Sequence, residues 1–277
     1  MTLRILVRGG GDLASGVALR LWRSGWEVIV TELAQPRAVR RMVSFAQAVY
    51  DGETRVEEAR AFRVERYEQA RAVLDRRAIP VVVDELAEIR RPFQPHVIVD
   101  GRMRKHPPEL LIGTFPPGPS NSTILMIGLG PGFTAGQDCH AVIETNRGPF
   151  LGRVIWQGMA EPDTGVPERV AGYQSERVLR APAAGQLETL VNIGATLPKG
   201  QPVAQVAGLI LTAPFDGVLR GLLPSGLEVA ADEKIGDLDP RGDIRLCSLV
   251  SDKALSVGGG VLEAILSFVG LRPFMYT

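Results

Sequence analysis

The sequence predicts an α/β chain, with a Rossmann-like parallel sheet domain, a mixed middle segment and an all-β carboxyl-terminal domain. Three observations carry this reading. Short apolar runs alternate with helical periodicity over the first hundred residues, which implies a parallel sheet with crossover helices. The middle third loses helical period and fills with Gly- and Pro-rich loops. From Arg177 onward an internal repeat of β-type text begins. The length of 277 residues, at about 150 per domain, accommodates nearly two domains. The expected boundaries are 1–175 for the Rossmann-like domain with its extension, 176–246 for the all-β domain, and 247–277 for a closing helix and tail.

Taken in order, Leu3 to Val7 reads as a first strand, Leu13 to Trp22 as a helix ended by Gly25, and Trp26 to Thr31 as a second buried strand. Ala59 to Val64, Pro80 to Val83 and Val97 to Val99 follow as strands, with a helix from Tyr67 to Arg77. In the middle third, Leu110–Thr114, Thr123–Ile127, His140–Glu144 and Arg153–Gln157 read as strands, either extending the sheet or forming a subdomain packed on it. Ala181-Pro182-Ala183-Ala184-Gly185-Gln186-Leu187 then recurs 32 residues later as Ala213-Pro214-Phe215-Asp216-Gly217-Val218-Leu219. Each copy precedes a β-type run and a glycine turn, Val191–Gly194 and Leu222–Gly226. Two such half-units can cover each other's apolar faces in a sandwich. Asp252 to Phe268 reads as the closing helix, weakened by Gly258 to Gly260.

Composition narrows the function classes. Basic and acidic residues balance at 31 each, without the basic excess of a general nucleic-acid or membrane-surface binder. Two cysteines make no disulfide framework and no zinc spacing. The apolar run before Arg8 is too short for a signal-peptide core, and the charge-free stretch Leu110–Gln137 is broken by prolines and glycines, so a cytoplasmic protein is expected. Lysine is scarce, at Lys105, Lys199, Lys234 and Lys253 only. No phosphate-binding GxxxxGK[ST] loop is present, and Schiff-base chemistry has few candidates.

The sharpest local signal is Gly9-Gly10-Gly11-Asp12-Leu13-Ala14, placed after a strand and opening a helix. Read as GxGxxA, Gly9 makes the turn, Gly11 admits a phosphate, and Ala14 permits close packing, with Ser15 and Gly16 following on the helix. Glu32 ends the second strand where an acid would accept from ribose hydroxyls. Asp12 opposes this reading, because its carboxylate would repel pyrophosphate; an N-cap accepting from the Ser15 amide is its simpler role. A second cluster, Gly128, Gly130 and Gly132, follows the strand to Ile127 and suits either a ligand or a tight turn. Asp138, Cys139 and His140 are the candidate catalytic or metal-binding groups. On a strand Asp138 and His140 converge while Cys139 points away. Glu144, Asn146 and Arg147 follow as a candidate pocket edge, with Arg147 suited to phosphate or carboxylate. His96 and His106 read as isolated, and the acidic run Asp232–Asp243 as a solvated turn.

The repeat resembles the barrel-sandwich hybrid of biotinyl and lipoyl carrier domains. Such carriers place a modified lysine at the hairpin joining the halves, and Gln205–Ile210 has none. The resemblance therefore implies the fold without the swinging arm. Across roughly residues 3 to 265, the blocks GGGDLASGVALRL, VIVTELAQPRAVRR, GLGPGFTAGQDCHAVIETNRG, FLGRVIWQG-x-AEPDTG and KIGDLDPRG together look like the YqeB family, accessory proteins of the selenium-dependent molybdenum hydroxylase system. That resemblance implies a maturation factor with a molybdenum hydroxylase client. A selenium- or sulfur-transfer role would need an activated cysteine, for which Cys139 is the candidate. The ligand would be phosphate-bearing: NAD or another nucleotide, or a molybdopterin-type cofactor. An NAD-dependent oxidoreductase and a non-enzymatic adaptor are the alternatives, and homo-oligomerisation stays open.

Overall fold

The computed structural model describes residues 2–103 and 124–275. The expected strand Leu110–Thr114, together with Lys105 and His106, lies outside the described residues. The chain divides into two compact units. Unit 1 comprises residues 1–36, 45–163 and 250–277, and unit 2 residues 37–44 and 164–249. The division thus falls at 163/164 and 249/250, where the sequence suggested 175/176 and 246/247. The closing helix belongs to unit 1 and is not a separate tail. Residues 37–44 join unit 2 because Leu222 donates its amide to the Val39 carbonyl and Gly221 lies flat against Val39.

Unit 1 contains β1 (Arg4–Arg8), α1 (Asp12–Arg23), β2 (Glu27–Glu32), α2 (Ala48–Asp51), β3 (Glu53–Val56), β4 (Ala59–Val64), α3 (Tyr67–Leu74), β5 (Ile79–Val83), α4 (Arg90–Phe93) and β6 (Val97–Asp100). It continues through β7 (Leu125–Leu129), β8 (Thr134–Ala135), β9 (Ala141–Ile143), β10 (Val154–Ile155) and β11 (Gly158–Met159). Nine of these strands form one sheet in the order β10-β9-β7-β6-β1-β2-β5-β4-β3. From β9 to β4 every neighbouring pair is parallel, and the edge strands β10 and β3 are antiparallel. The middle third therefore extends the first sheet. β6 and β7 are buried throughout and apolar except for Asp100, as a sheet covered on both faces requires. On one face Leu6, Ile29, Val82 and Ile98 cluster with Ala70, Leu74 and Phe93 from α3 and α4.

The chain leaves β1 toward β2 on one side and returns to β6 on the other, so strand order reverses between β1 and β6. In open α/β sheets, ligands bind at the carboxyl edge by such a reversal. The second long helix of unit 1, α5 (Asp252–Ser267), packs along α1 in the same sense. A Cβ on Gly16 would lie 2.6 Å from the Ala254 Cβ, and one on Gly258 would lie 3.3 Å from Arg20. Gly260 is pressed onto the Gly152 carbonyl. The three glycines expected to weaken α5 leave it continuous, and two of them let its neighbours approach. A four-residue helix, α6 (Arg272–Met275), follows.

Unit 2 is all antiparallel. Its strands are β12 (Val178–Arg180), β13 (Gly185–Thr189), β14 (Thr196–Leu197), β15 (Pro202–Val206), β16 (Leu209–Thr212), β17 (Gly217–Leu222), β18 (Glu228–Val229) and β19 (Lys234–Asp239). They form two four-stranded sheets, β12-β19-β17-β14 and β16-β15-β13-β18. Advancing each of β12–β15 by four converts one order into the other, so the sequence repeat is a four-strand repeat that exchanges strands between sheets. The strands begin at the repeat's own glycines, Gly185 and Gly217, whereas Val191–Gly194 lies outside any strand.

Candidate functional site

The carboxyl edge of the unit 1 sheet collects most of the residues singled out in the sequence. Gly9 turns the chain at φ +89° and donates its amide to the Thr31 carbonyl at 2.8 Å. Its side is closed, since a Cβ there would lie 3.3 Å from the Arg102 nitrogen. Gly10 is closed as well, with Ala46 backbone 2.8 Å from where its Cβ would stand. Gly11 is different: no described atom lies within 4 Å of its Cβ position.

Gly11, not Asp12, is the N-cap of α1. The Ser15 amide donates to the Gly11 carbonyl at 2.8 Å, and Asp12 is the first helical residue. The Ser15 hydroxyl donates to the Gly10 carbonyl and accepts from the Phe45 amide, both at 2.8 Å, which fixes the turn from below. Ala14 is buried beside Gly101, where a Cβ would come within 2.7 Å of its own. Gly16 serves the contact with α5. Glu32 accepts from the Gly10 amide at 2.6 Å and from the Leu33 amide at 2.8 Å. Burial raises its carboxyl above the ordinary range, and those two amides oppose the shift. The expected ribose acceptor thus also pins the turn.

Between β1 and β6 lies a cluster that the sequence reading missed. Asp100, fully buried at the end of β6, receives Arg8 at 3.3 Å and Arg102 at 2.9 and 2.6 Å. Arg8 also donates to the Glu85 carbonyl at 3.0 Å. Two guanidinium groups thus share one buried carboxylate beside the glycine turn, where the Asp12 and Glu32 carboxylates also lie. Arg8 and Asp100 are 92 positions apart, and only the strand order makes them neighbours.

The second glycine cluster is filled by its own chain. The Phe133 ring lies against Gly128, and Thr145 Oγ1 lies 2.5 Å from the Cβ position of Gly130. Gly130 and Gly132 take φ +73° and +97°, as a tight turn requires. Glu144 is buried and accepts from the amides of Thr145, Asn146 and Glu161 at 2.7, 2.6 and 2.7 Å. Asn146 donates to Glu161 at 2.6 Å, and Arg147 makes a two-pronged pair with Asp252 at 2.5 and 2.9 Å. That pair draws the Asp252 carboxyl down to about 2.

Asp138, Cys139 and His140 do not form a reactive group. They precede β9, so they lie at the amino edge of the parallel sheet, opposite the glycine turns. They occupy a turn and not a strand, which removes the expected convergence of Asp138 with His140. Asp138 accepts from the Thr134 amide at 2.7 Å. Cys139 is fully buried, and burial pushes its thiol up to about 12, far from an activated thiolate. His140 exchanges hydrogen bonds with Met126, its Nδ1 accepting at 3.0 Å and its amide donating at 2.9 Å. It packs edge-on against Phe268, and burial lowers its imidazole to about 4. His96 repeats the device one strand over, its Nδ1 accepting from the Arg4 amide at 3.1 Å beside Phe274. Among the described residues no group of three His, Cys, Asp or Glu side chains is placed to hold a metal.

The fold and its carboxyl edge define an α/β protein built on a large, mostly parallel sheet, with a glycine turn at the strand-order reversal. Compared with known proteins, the chain is 44% identical over 262 residues to the uncharacterized protein YqeB of Escherichia coli K12, covering 95% of this chain and 47% of that one. It spans about half the length of this curated relative. No protein-family model matches. Among solved structures, an aspartoacylase family protein of Mesorhizobium loti aligns at 14% identity over 86% of this chain and 85% of that one, with a TM-score of 0.26. A succinylglutamate desuccinylase/aspartoacylase of Rhodobacter sphaeroides aligns at 13% identity over 84% and 86%, with a TM-score of 0.24. Likenesses this low carry no argument about fold or activity. Among the described residues no helix is long and apolar enough to cross a membrane.

Proposed function

We propose that this chain is a cytoplasmic accessory factor of the YqeB type that serves a selenium-dependent molybdenum hydroxylase. In this reading it holds a nucleotide- or pterin-like phosphate ligand at the Gly9–Gly11 turn. The observation that carries the reading is the side of Gly11 that no described atom approaches, at the carboxyl edge, beside the strand-order reversal and next to the Gly10 amide that Glu32 accepts from. The helix α1 directs its amino end there, and the Arg102 guanidinium on Asp100 lies nearby. Asp12 in the first turn disfavours a fully charged pyrophosphate directly on the helix axis, so a ligand would approach from the Gly11 side. The hydroxylase client comes only from the resemblance of the sequence blocks to the YqeB family. The relative is about twice as long, so its whole activity belongs to the proposal too.

Unit 2 we read as a barrel-sandwich hybrid that docks a partner in place of carrying a cofactor. Its four-strand repeat supports the fold, and the lysine-free turn Val206–Leu209 supports the loss of the arm.

Thermal denaturation of the full chain with NAD, ATP and a reduced pterin phosphate tests the ligand. At a hundredfold excess over Kd, binding stabilises by about 2.7 kcal/mol, and Gly11→Val should abolish the response while the unliganded chain stays folded with a midpoint lowered only by the poorer N-cap. An unchanged response in the folded variant removes the reading. One specific observation favours the adaptor alternative, in which no small molecule binds: Gly9 and Gly10 are closed by protein, and Glu32 is spent on the turn. Capture of the hydroxylase client by a chain that answers to none of the three compounds would establish that alternative.

A further inference from the structure

A sheet edge carries a row of backbone amides and carbonyls with no neighbouring strand, and natural edges are kept from joining other chains by shortness, charge, bulges or a covering segment. Among the described residues every edge but one is treated in this way. β10, β14, β18 and both strands of the β8–β11 pair are two residues long. β18 is also covered, since Arg37 donates to its Glu228 carbonyl at 2.8 Å. β3 carries Glu53 and Arg55, and β12 carries Arg180 and a register shift. The exception is β16, Leu209-Ile210-Leu211-Thr212, the outer strand of the sheet β16-β15-β13-β18. It is four residues long and lies inside a stretch, Gly200 to Phe215, without a charged residue. Leu209 and Ile210 are 52% and 57% exposed, whereas Leu211 packs against both apolar clusters of unit 2.

The inner side of β16 is fixed by its hairpin. Ala207 and Gly208, at φ +50° and +78°, make the two-residue turn from β15, and Val206, Gln205 and Ala204 stand opposite Leu209, Ile210 and Leu211. Hydrogen bonds alternate along an antiparallel pair, and the pair closing a two-residue turn is a bonded one. The Ile210 amide and carbonyl therefore point outward, away from β15.

We propose that this edge is a self-association surface. In the dimer, β16 pairs antiparallel with β16 of a second copy across a twofold axis at Ile210, joining two four-stranded sheets into one of eight. An extended backbone is what the outward amide and carbonyl can pair with, and antiparallel strands related by a twofold offer each other the same groups. At that register each Ile210 amide donates to the other copy's Ile210 carbonyl, and the two Ile210 side chains stand side by side. The lack of charge fits a second copy as the occupant. A twofold sets like against like, so a charged edge would repel itself, and β16 has nothing to repel with. The contact is one strand wide, below the standard size of stable interfaces, so the dimer forms reversibly with concentration. The proposal is independent of the ligand of the Gly11 turn.

Sedimentation velocity of the full chain from about 1 μM to about 1 mM brackets an association of this size, and the mean mass should rise from one chain toward two. Ile210→Pro removes the outward amide without costing a bond to β15, and Ile210→Lys sets two ammonium groups against each other. Each should keep the circular dichroism spectrum of the parent and move the association midpoint at least about tenfold upward. Ile210→Lys, on an exposed side chain, decides alone where the proline variant fails to fold. Amide exchange of the peptide 207–213 should slow with rising concentration in the parent chain and not in Ile210→Lys. A single-chain mass across the whole range, with β16 bare or occupied by a foreign peptide, overturns the proposal. So does a dimer that Ile210→Lys leaves unchanged, or one in which the peptide 207–213 exchanges as fast as in the monomer.

Discussion

Two glycine turns leave the same edge of one sheet, and they are built differently. After β1, Gly9 and Gly10 are closed by neighbouring backbone, while no described atom lies within 4 Å of the Gly11 Cβ position. After β7, Gly128 and Gly130 are both occupied, one by the Phe133 ring and the other by Thr145. The first turn is backed by a buried ion cluster on Asp100, the second by apolar packing around Phe133, Cys139 and Val142. A glycine after a parallel strand is therefore no sign of a ligand by itself. What a side chain at that position would strike separates a guest's place from a fold's own packing.

The comparison can be broken most strongly at its charged backing. Asp100→Ala leaves Arg8 buried without its carboxylate, and the expected loss is about 3–5 kcal/mol of stability, read as a large fall in the urea midpoint. A loss below about 1 kcal/mol would mean that the cluster is solvated and does not brace the first turn.

A second test concerns the amino edge beneath the second turn. His140 accepts from Met126 only while neutral, and its folded value, about 4, lies below the ordinary 6.5. The unfolded chain therefore binds the proton first as pH falls. The contribution is complete above about pH 6.5 and is lost progressively toward pH 4, by at most about 3 kcal/mol. His140→Asn, which keeps an acceptor and removes the titration, should flatten this part of the stability–pH curve. An unchanged slope contradicts the neutral acceptor.

Substituting the turns themselves sharpens the contrast. Gly128→Ala drives a methyl into the Phe133 ring, with an expected cost of about 1–3 kcal/mol. Gly11→Ala, with no described atom near its Cβ and at an ordinary φ of −69°, should cost only what the N-cap loses, about 0.5 kcal/mol. Equal costs at the two positions would erase the distinction between them.

Much of unit 1 was readable because its strands are apolar runs and its helices amphipathic. Leu3–Val7, Ala59–Val64 and Asp252–Phe268 fall within a residue or so of the observed elements. The strand β3 escaped notice because Glu53-Thr54-Arg55-Val56 is mostly exposed and has no apolar signature. The repeat at Ala181 and Ala213 was visible, but not that its halves exchange strands, since pairing partners are set by long-range register. The site was readable only in part. The glycines announced a turn, yet whether each was filled depended on Arg102, Ala46, Phe133 and Thr145 arriving from elsewhere. Asp138–His140 read as a strand, and a turn there sends the three side chains to separate structural tasks. Arg8 with Asp100, and Arg147 with Asp252 at the start of α5, are juxtapositions of distant residues that only the folded chain creates.

Native mass spectrometry of the full chain loaded with NAD, ATP or a reduced pterin phosphate asks most directly whether the open glycine receives a guest. One bound molecule per chain is expected with at least one of these compounds, retained in Gly128→Ala and lost in Gly11→Val. A bare chain under every loading, or a complex that Gly11→Val preserves, would contradict the account.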